Sequence, residues 1–379
     1  MGVLSGYKII ELAGLGPCPM AGMILADMGA EVIRVERGIS QNPMLTKDIS
    51  ARGKKSLVLN LKNEQGREAL LKLVEHADAL LEGYRPGVVE KLGIGPEHCA
   101  ERNPKLVYGR MTGWGQTGPL AKAAGHDVNY IALTGALHAI GRSGEPPVVP
   151  LNLVGDFGGG ALFLVAGVLG ALLETKSSGQ GQVVDAAMVD GTANLMWMCH
   201  SFYADGNWNI NDRGANMLDG GAFYYDTYET RDGKYIAIGA IEPQFYSELV
   251  ELVGLDRERF NAKNQDNRAL WPDNKVAFVD LFKSKTRDEW CALLEGTDAC
   301  FAPVLSLAEA PHHAHNLARE TYIQIDGYPQ PAPAPRFSRT PSEVRHGQRD
   351  SGKDSMEILK SIGYTEAQIV RLKKQGVIS

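Results

Sequence analysis

The fold is decided by residues 7–36, which have the sequence YKIIELAGLGPCPMAGMILADMGAEVIRVE. Residues 7–12, with the sequence YKIIEL, predict a strand, and a turn rich in glycine and proline follows it. Residues 19–28 then predict a helix, and residues 31–36 predict a second strand. A strand, a helix and another strand in close succession indicate an α/β fold with a parallel sheet.

The same alternation continues and predicts the domain organisation. Strand candidates follow at 57–61, 79–82 and 106–111, with a helix at 62–77 between the first two of them. Alternating residues around a turn at 230–233 predict a hairpin in a second domain. We expect a Rossmann-like large domain at 1–186, a linker helix and loop at 187–224, a smaller α+β domain at 225–320, and a proline-rich return linker with C-terminal helices at 321–379 that pack on the large domain.

Composition argues against several classes of protein. The net charge of −6 leaves no general basic surface, so nucleic acid is not expected as a partner. The longest apolar run, 161–173, is broken by glycines and is too short for a membrane span. Five cysteines without a CxxC pair, and no recognisable secretory or SKL-type signal, indicate a cytoplasmic protein. His312, His313 and His315 lack the companion ligands of a zinc site, so no metal is expected.

The turn after the first strand begins like a dinucleotide-binding fingerprint. Gly14 and Gly16 form a GxG pair, and Glu36 ends the second strand, where an acidic residue would hold a ribose. Pro19, however, occupies the position of the third glycine. The pattern therefore favours a strand–turn–helix of the same fold without NAD, and an NAD-dependent oxidoreductase stays a minor alternative.

A second set of residues places positive charge beside strand ends in a chain of negative net charge. Such edges are where α/β sheets bind phosphate groups, and Arg and Lys are suited to phosphate oxygens. A solvated basic loop explains the same pattern equally well. The cations concerned are Arg37, Arg52, Lys54, Lys55 and Lys62.

Three titratable residues lie next to glycines or prolines just before helix-like runs. His126 lies in GHDVNY (125–130), Asp156 in NLVGDFGGG (152–160), and Glu242 in GAIEPQF (239–245). Asp156 is expected at or near the N-cap of an apolar helix. Taken singly, a buried histidine and helix-capping carboxylates are the commoner uses of these residues. Together, two proton-transfer groups at two helix starts suit removal of a proton from one face of a carbon and its return to the other.

These strings, in this order, resemble the family III CoA-transferases (CaiB/BaiF-like proteins), and within that family the α-methylacyl-CoA racemases. The resemblance covers about residues 6–339 and includes MTGWGQTGP (111–119) and NMLDGGA (216–222). It implies an interlocked homodimer in which each chain has a Rossmann-like large domain and a smaller α+β domain. It also implies interconversion of (R)- and (S)-2-methylacyl-CoA thioesters through an enolate, with no cofactor apart from the CoA of the substrate.

The resemblance assigns roles to individual residues. His126 and Asp156 would be the two acid/base groups, and Glu242 would lie beside Asp156, from the same chain or from the partner. Apart from the resemblance, Met20 and Met217 are our own candidates for the lining of an acyl pocket. A CoA-transferase with Asp156 as nucleophile is the nearest alternative. CoA-binding residues would be Arg37, Leu59, Asn60, Leu61, Lys62, Arg85, Gly125, Asp127 and Tyr130, of which Asp127 would offer its backbone amide to the thioester oxygen.

Overall fold

The computed structural model describes residues 1–38 and 45–379, and these form two compact units. The expected boundaries differ from these units at two places. Residues 135–150, expected in the large domain, group with the second unit, and the expected linker 187–224 is divided after residue 196. Unit 1 comprises Met1–Thr134, Leu151–Met196 and Arg319–Ser379, and unit 2 comprises Gly135–Pro150 and Trp197–Ala318.

Unit 1 is built on a six-stranded parallel sheet, as the first residues predict. The strand order is β3-β2-β1-β4-β5-β6, so the chain reverses direction across the sheet between β1 and β4. This is the order of a Rossmann-like fold, in which ligands bind beyond the carboxyl ends of the strands at that reversal. The strands are β1 Lys8–Leu12, β2 Glu31–Glu36, β3 Lys54–Val58, β4 Ala79–Glu82, β5 Val107–Thr112 and β6 Val183–Ala187.

Two apolar clusters cover the two faces of this sheet. Successive residues of β1 alternate between them, because side chains of a strand point to opposite faces. Ile10 and Leu12 lie in one cluster and Ile9 in the other. The helices of unit 1 are α1 Pro17–Asp27, α2 Glu64–Val74, α3 Val88–Lys91, α4 Pro96–Arg102, α5 Asp127–Ala132, a π-helix Leu153–Ala161, α7 Leu162–Ser178, α8 Met188–Leu195, α14 Ser355–Ser361 and α15 Glu366–Lys374, with a 3₁₀ turn at Ile49–Ala51.

The apolar run 161–173 lies within a longer helical stretch in the structure. The π-helix and α7 are continuous, and together they give a helical stretch Leu153–Ser178 that is long and apolar enough to cross a membrane by length and composition alone. The core helix of a globular unit meets the same criterion. Leu164 and Val168 of this stretch are buried against β5, where Gly109 leaves room for them.

The C-terminal part of the chain returns to unit 1. Helices α14 and α15 contribute buried residues to the same cluster as Ile10 and Leu12. Within the segment expected to be an extended proline-rich linker, residues 322–331 instead form an antiparallel pair. Its strands are β10 Tyr322–Ile325 and β11 Tyr328–Pro331.

Unit 2 contains the predicted hairpin. Strands β7 (Tyr225–Glu229) and β8 (Tyr235–Gly239) pair in antiparallel fashion, and Gly233 takes a positive φ of 71° in the turn that joins them. A core rich in aromatic residues packs beneath the sheet and includes Phe223, Tyr228 and Trp290. The elements are α6 Ala136–Ala139, α9 Trp197–Ala204, β7 Tyr225–Glu229, β8 Tyr235–Gly239, α10 Pro243–Leu252, α11 Trp271–Phe282, α12 Arg287–Leu294, β9 Phe301–Pro303 and α13 Ala314–Ala318, with 3₁₀ turns at Ala262–Asn264, Arg268–Leu270 and Ala310–His312.

Candidate active site

His126 lies at the N-cap of α5, beyond the carboxyl end of β5. Its backbone amide donates a hydrogen bond to Oδ1 of Asn129 (3.0 Å), and its carbonyl accepts from the amides of Asn129 (2.8 Å) and Tyr130 (3.3 Å). These bonds fix the helix start through the backbone. The residue is exposed, so its imidazole faces solvent or a ligand.

Two aromatic side chains, Tyr130 and Trp114, pack against this helix start. The Tyr130 hydroxyl donates to the Gly125 carbonyl, and the Tyr130 ring packs edge-on against Trp114 with centroids 4.8 Å apart. A Cβ at Gly113 would lie 2.1 Å from the Tyr130 ring, so this position requires glycine. Tyr130 was expected to bind CoA. Its side chain is buried, and its hydroxyl already donates a hydrogen bond within the protein.

Asp156 lies near the start of a helix, as expected, but this helix is a π-helix and its N-cap is Asn152. The helix starts at Leu153, and Asp156 belongs to its first turn. Close packing against α8 accompanies the wide turn, since a Cβ at Gly191 would lie 1.9 Å from the Gly159 carbonyl oxygen. π-helical turns are rare and are frequent at functional sites.

The Asp156 carboxylate is half-buried and oriented by its neighbours. Asn152 Nδ2 donates to Asp156 Oδ2 at 3.1 Å. On the other side, a Cβ at Gly16 would lie 3.5 Å from the same oxygen, and Gly16 has a positive φ of 71° that favours glycine. The carboxylate thus lies over the turn between β1 and α1, at the reversal of the sheet.

Asp127 connects the two elements that carry His126 and Asp156. Its Oδ2 accepts hydrogen bonds from the amides of Gly155 and Asp156, both at 2.7 Å. From the sequence, only the backbone amide of Asp127 was expected to act, and this side-chain role was missed. An acid directly after His126 and a glycine directly before Asp156 were the available signals.

The surroundings change the acidity of Asp156. Burial raises the pKa of this carboxyl, the hydrogen bond from Asn152 lowers it, the negative charge of Asp127 raises it, and the charge of His126 lowers it. The net effect is a raised pKa. Both Asp127 and His126 are therefore close enough to Asp156 to affect its ionisation.

The expected CoA-binding run 59–62 lies beyond β3, but only part of it is accessible. Leu59 and Leu61 are buried in a core cluster, so only their backbones are available to a ligand. Asn60 and Lys62 are exposed. They line a cavity of ≈ 350 Å³ together with Arg37 and the C-terminal residues 376–379.

Arg85 is also exposed and follows β4, the strand next to β1. It lies near Tyr130, because its positive charge acts to lower the pKa of that phenol, whose burial raises it. Arg85 therefore lies at the carboxyl edge of the sheet, on the side of the His126 helix start.

Three other cations of the expected phosphate site are engaged in ion pairs. Arg52 pairs with Asp27 at 2.6 Å, and Lys54 pairs with Glu11 at 2.5 Å. Both of these pairs are buried, so they belong to the core of unit 1. Lys55 bridges two carboxylates at 2.8 Å each, Glu31 and Glu357.

The residues of the alternative NAD site are not arranged to bind a dinucleotide. Glu36 is buried, and its Oε1 accepts a hydrogen bond from the Ser56 hydroxyl at 2.6 Å. Pro17 and Pro19 lie in the first turn of α1 and have no amide hydrogen to offer a pyrophosphate. Among the described residues, no group of three or more His, Cys, Asp or Glu side chains is placed to hold a metal ion.

An apolar cavity of ≈ 340 Å³ lies beside the turn that faces Asp156. Its lining includes Gly16, Met20, Met23 and Phe157, and Phe157 directly follows Asp156. Met217, also expected near an acyl pocket, packs against the aromatic core of unit 2.

Glu242 belongs to unit 2, at the N-cap of α10, and its side chain is exposed. Its carbonyl accepts the amide of Tyr246 at 2.9 Å, which fixes the helix start. Burial raises the pKa of the nearby Cys300 thiol, and the negative charge of Glu242 adds to this shift.

The sheet order and the turn beneath Asp156 define a Rossmann-like α/β protein. Residues 4–355 match the CoA-transferase family III, so the chain belongs to that family. It is 48% identical to alpha-methylacyl-CoA racemase of Mus musculus and 44% identical to that of Homo sapiens, with 99% of this chain and 97% of each relative covered. A crystal structure of a CAIB/BAIF family protein from Brucella suis matches with a TM-score of 0.81 at 25% identity, covering 95% of this chain and 99% of that one. The resemblance stated from the sequence is thereby confirmed.

Proposed function

We propose that this protein is an α-methylacyl-CoA racemase, which interconverts (R)- and (S)-2-methylacyl-CoA thioesters. The observation that carries the proposal is a hydrogen bond that joins the segments of His126 and Asp156. The carboxylate of Asp127, the residue after His126, accepts this bond from the backbone amide of Asp156. Full-length similarity to the mouse and human racemases supports the same conclusion.

In the proposed reaction, one group removes the α-proton and the other delivers a proton to the opposite face of the same carbon. His126 and Asp156 are the two groups, and the electron pair of the broken C–H bond passes into the thioester to form an enolate. One positioned acid/base group contributes roughly 10²–10⁴-fold. The raised pKa of Asp156 makes it a better proton donor near neutral pH than an ordinary aspartate.

Stabilisation of the enolate oxygen must supply a further part of the rate. Loss of one oxyanion donor in characterised enzymes costs about 10²–10³-fold. The backbone amide of Asp127, in the first position of α5, is the donor that we assign to this oxygen. Removal and return of a proton at the same carbon leave the oxidation state of the substrate unchanged, so the proposed reaction requires no redox cofactor.

The CoA part of the substrate is assigned to the rim beyond β2, β3 and β4. Arg37, Lys62 and Arg85 offer positive charge to phosphate groups, and Asn60 offers an amide. Gly125, Asp127 and Tyr130 would shape the pantetheine end, while Leu59 and Leu61 would contribute backbone contacts. The apolar cavity lined by Met20 and Phe157 is assigned to the acyl chain.

The protein is also proposed to act as an interlocked homodimer, with Glu242 reaching the acid/base pair of one chain or the other. Apolar surface on single elements supports an interface between copies. Helix α9 buries none of its residues although it contains Trp197 and Met198, and Leu162 and Leu173 of α7 are 51% and 67% exposed. A reducing, cytoplasmic location is retained as a proposal and is consistent with five free cysteines.

Incubation in D₂O with a single enantiomer of a 2-methylacyl-CoA, without any acceptor acid, tests the function. We expect deuterium at the α-carbon and appearance of the other enantiomer, measured by mass spectrometry and chiral chromatography. A CoA-transferase with Asp156 as nucleophile would instead move CoA to an added carboxylate and leave the α-proton in place. That result would refute the proposed racemase function.

A further inference from the structure

The side chain of Asp127 is placed between the two acid/base residues in an unusual way. It is only 5% exposed. Its Oδ2 accepts the amides of Gly155 and Asp156 at 2.7 Å, whereas Oδ1 is buried and has no hydrogen-bond partner among the described residues. A buried carboxylate oxygen without a partner is costly, so its retention calls for a functional explanation.

The packing beside this carboxylate leaves no room for a side chain at position 155. A Cβ at Gly155 would lie 2.7 Å from Asp127 Oδ2 and 3.1 Å from Cγ2 of Ile131. Gly155 is therefore the residue that permits the close approach. Because α5 begins at Asp127, immediately after His126, any movement of this carboxylate changes the spacing between His126 and the π-helical turn.

We propose that Asp127 is a positioning residue for the two-base reaction: its carboxylate sets the place of Asp156 relative to His126 and brings negative charge beside the pair. This proposal rests on the proposed function. Asp127 needs no contact with the reacting carbon for this role. Its two hydrogen bonds hold the first turn of the π-helix, and its charge acts on the proton equilibrium of the pair.

The charge effect has a defined direction. Burial is the main cause of the raised pKa of Asp156, and the negative charge of Asp127 raises it further, while His126 lowers it. Tyr130 is the other titratable group that faces Asp156 from α5, and Arg85 faces Tyr130. Removal of the Asp127 charge alone should therefore lower the pKa of Asp156 and move the acidic limb of the pH–rate profile to lower pH.

Two substitutions separate geometry from charge. Asp127→Asn keeps an oxygen that accepts both amides but removes the charge. Its maximal rate of racemisation should fall, but by less than in Asp127→Ala, and the acidic limb of its pH–rate profile should lie at lower pH. Asp127→Ala removes both, and the maximal rate should fall roughly tenfold to a hundredfold, with a smaller change in KM, because misplacement of a reacting group by about 1 Å has a cost of that size.

A third substitution acts on the same contact from the opposite side. Gly155→Ala should lower the maximal rate, and its effect should be less than additive with Asp127→Ala, since both changes break one interaction. Glu97→Gln, an exposed acid in the first turn of α4, is the matched acid control.

Amide hydrogen exchange of the peptide containing residues 152–160 gives a readout that does not depend on activity. We expect faster exchange in Asp127→Ala and near wild-type exchange in Asp127→Asn. Unchanged amide protection and unchanged maximal rate in Asp127→Ala would overturn the proposal. So would a loss of thermal stability in that variant with both the maximal rate and the pH profile preserved. Failure of wild-type protein to exchange the α-proton would instead refute the proposed function, and the amide protection of 152–160 would still decide whether Asp127 holds the turn.

Discussion

His126 and Asp156 lie at the same edge of the sheet but are held in different ways. His126 is exposed at the start of an α-helix, and bonds among residues 126–130 fix its backbone. Asp156 is half-buried in a π-helical turn that depends on contacts with residues distant in the chain, among them Asp127 and Gly191. The backbone of His126 is fixed by bonds within its own helix start, whereas a base with a shifted pKa needs an environment built from several elements.

The largest effect should come from removal of either base. His126→Ala and Asp156→Ala should each lower racemisation roughly 10²–10⁴-fold. The base that remains still serves one face of the carbon, so each variant should exchange the α-proton of one enantiomer preferentially, and the spared enantiomer should differ between the two. Exchange in D₂O, begun from each enantiomer separately, measures this. Sparing of the same enantiomer in both variants would contradict two bases on opposite faces.

The next largest effect should be on stability, and it compares the packing beneath the two residues. Gly113→Ala would force the Tyr130 ring below His126 to move, while Gly191→Ala would displace backbone beside the π-helix. Overpacking of this kind costs about 1–3 kcal/mol. We expect the greater loss of unfolding free energy in urea for Gly191→Ala, because backbone yields less readily than a side chain. A greater loss of unfolding free energy for Gly113→Ala would contradict this expectation and show that the packing beside His126 tolerates less change.

A smaller effect should separate CoA binding from chemistry. Lys62→Ala and Arg37→Ala should each raise KM by about fivefold, and the effect should shrink as salt is added, because these exposed charges are screened. The maximal rate should change little. Lys55→Ala is the control, since Lys55 is held by Glu31 and Glu357. An equal rise of KM in the Lys55 variant would remove the exposed rim from the CoA site.

The smallest expected effect is a shift of pH dependence. The hydrogen bond from Asn152 lowers the pKa of Asp156, so its removal in Asn152→Ala should raise that pKa further. The acid/base pair would then take up a second proton at higher pH, and the acidic limb of the pH–rate profile should move upward. Movement to lower pH in kcat/KM measurements would show that Asn152 does not act on the ionised carboxylate.

The parts of the fold that were predictable are those fixed by short stretches of chain. The strand–helix–strand unit at 7–36 follows from apolar runs separated by a Gly/Pro turn, and the hairpin of unit 2 follows from alternation around Gly233. Strand β3 was placed too late, at 57–61, because it starts with Lys54. Burial of that charge depends on Glu11, a residue of β1 that local sequence does not connect to it.

The same distinction holds for the site. The residue types at 126 and 156 were identifiable from their strings, and the resemblance named them together. The π-helical geometry around Asp156 was not predicted, because a π-turn depends on how closely glycines pack against α8, which no helical period reveals. Arg52 and Lys54 looked like phosphate ligands because their buried acidic partners lie far away in the sequence.

The π-helical turn also limits how this chain can change length during evolution. Each residue of an α-helix advances the side-chain direction by about 100°. Loss of one residue between Leu153 and Ala161 would turn either Asp156 away from Gly16 or α7 away from β5, and no single compensating substitution restores both. Insertions and deletions should therefore be tolerated in the surface loops of unit 1 long before they are tolerated here.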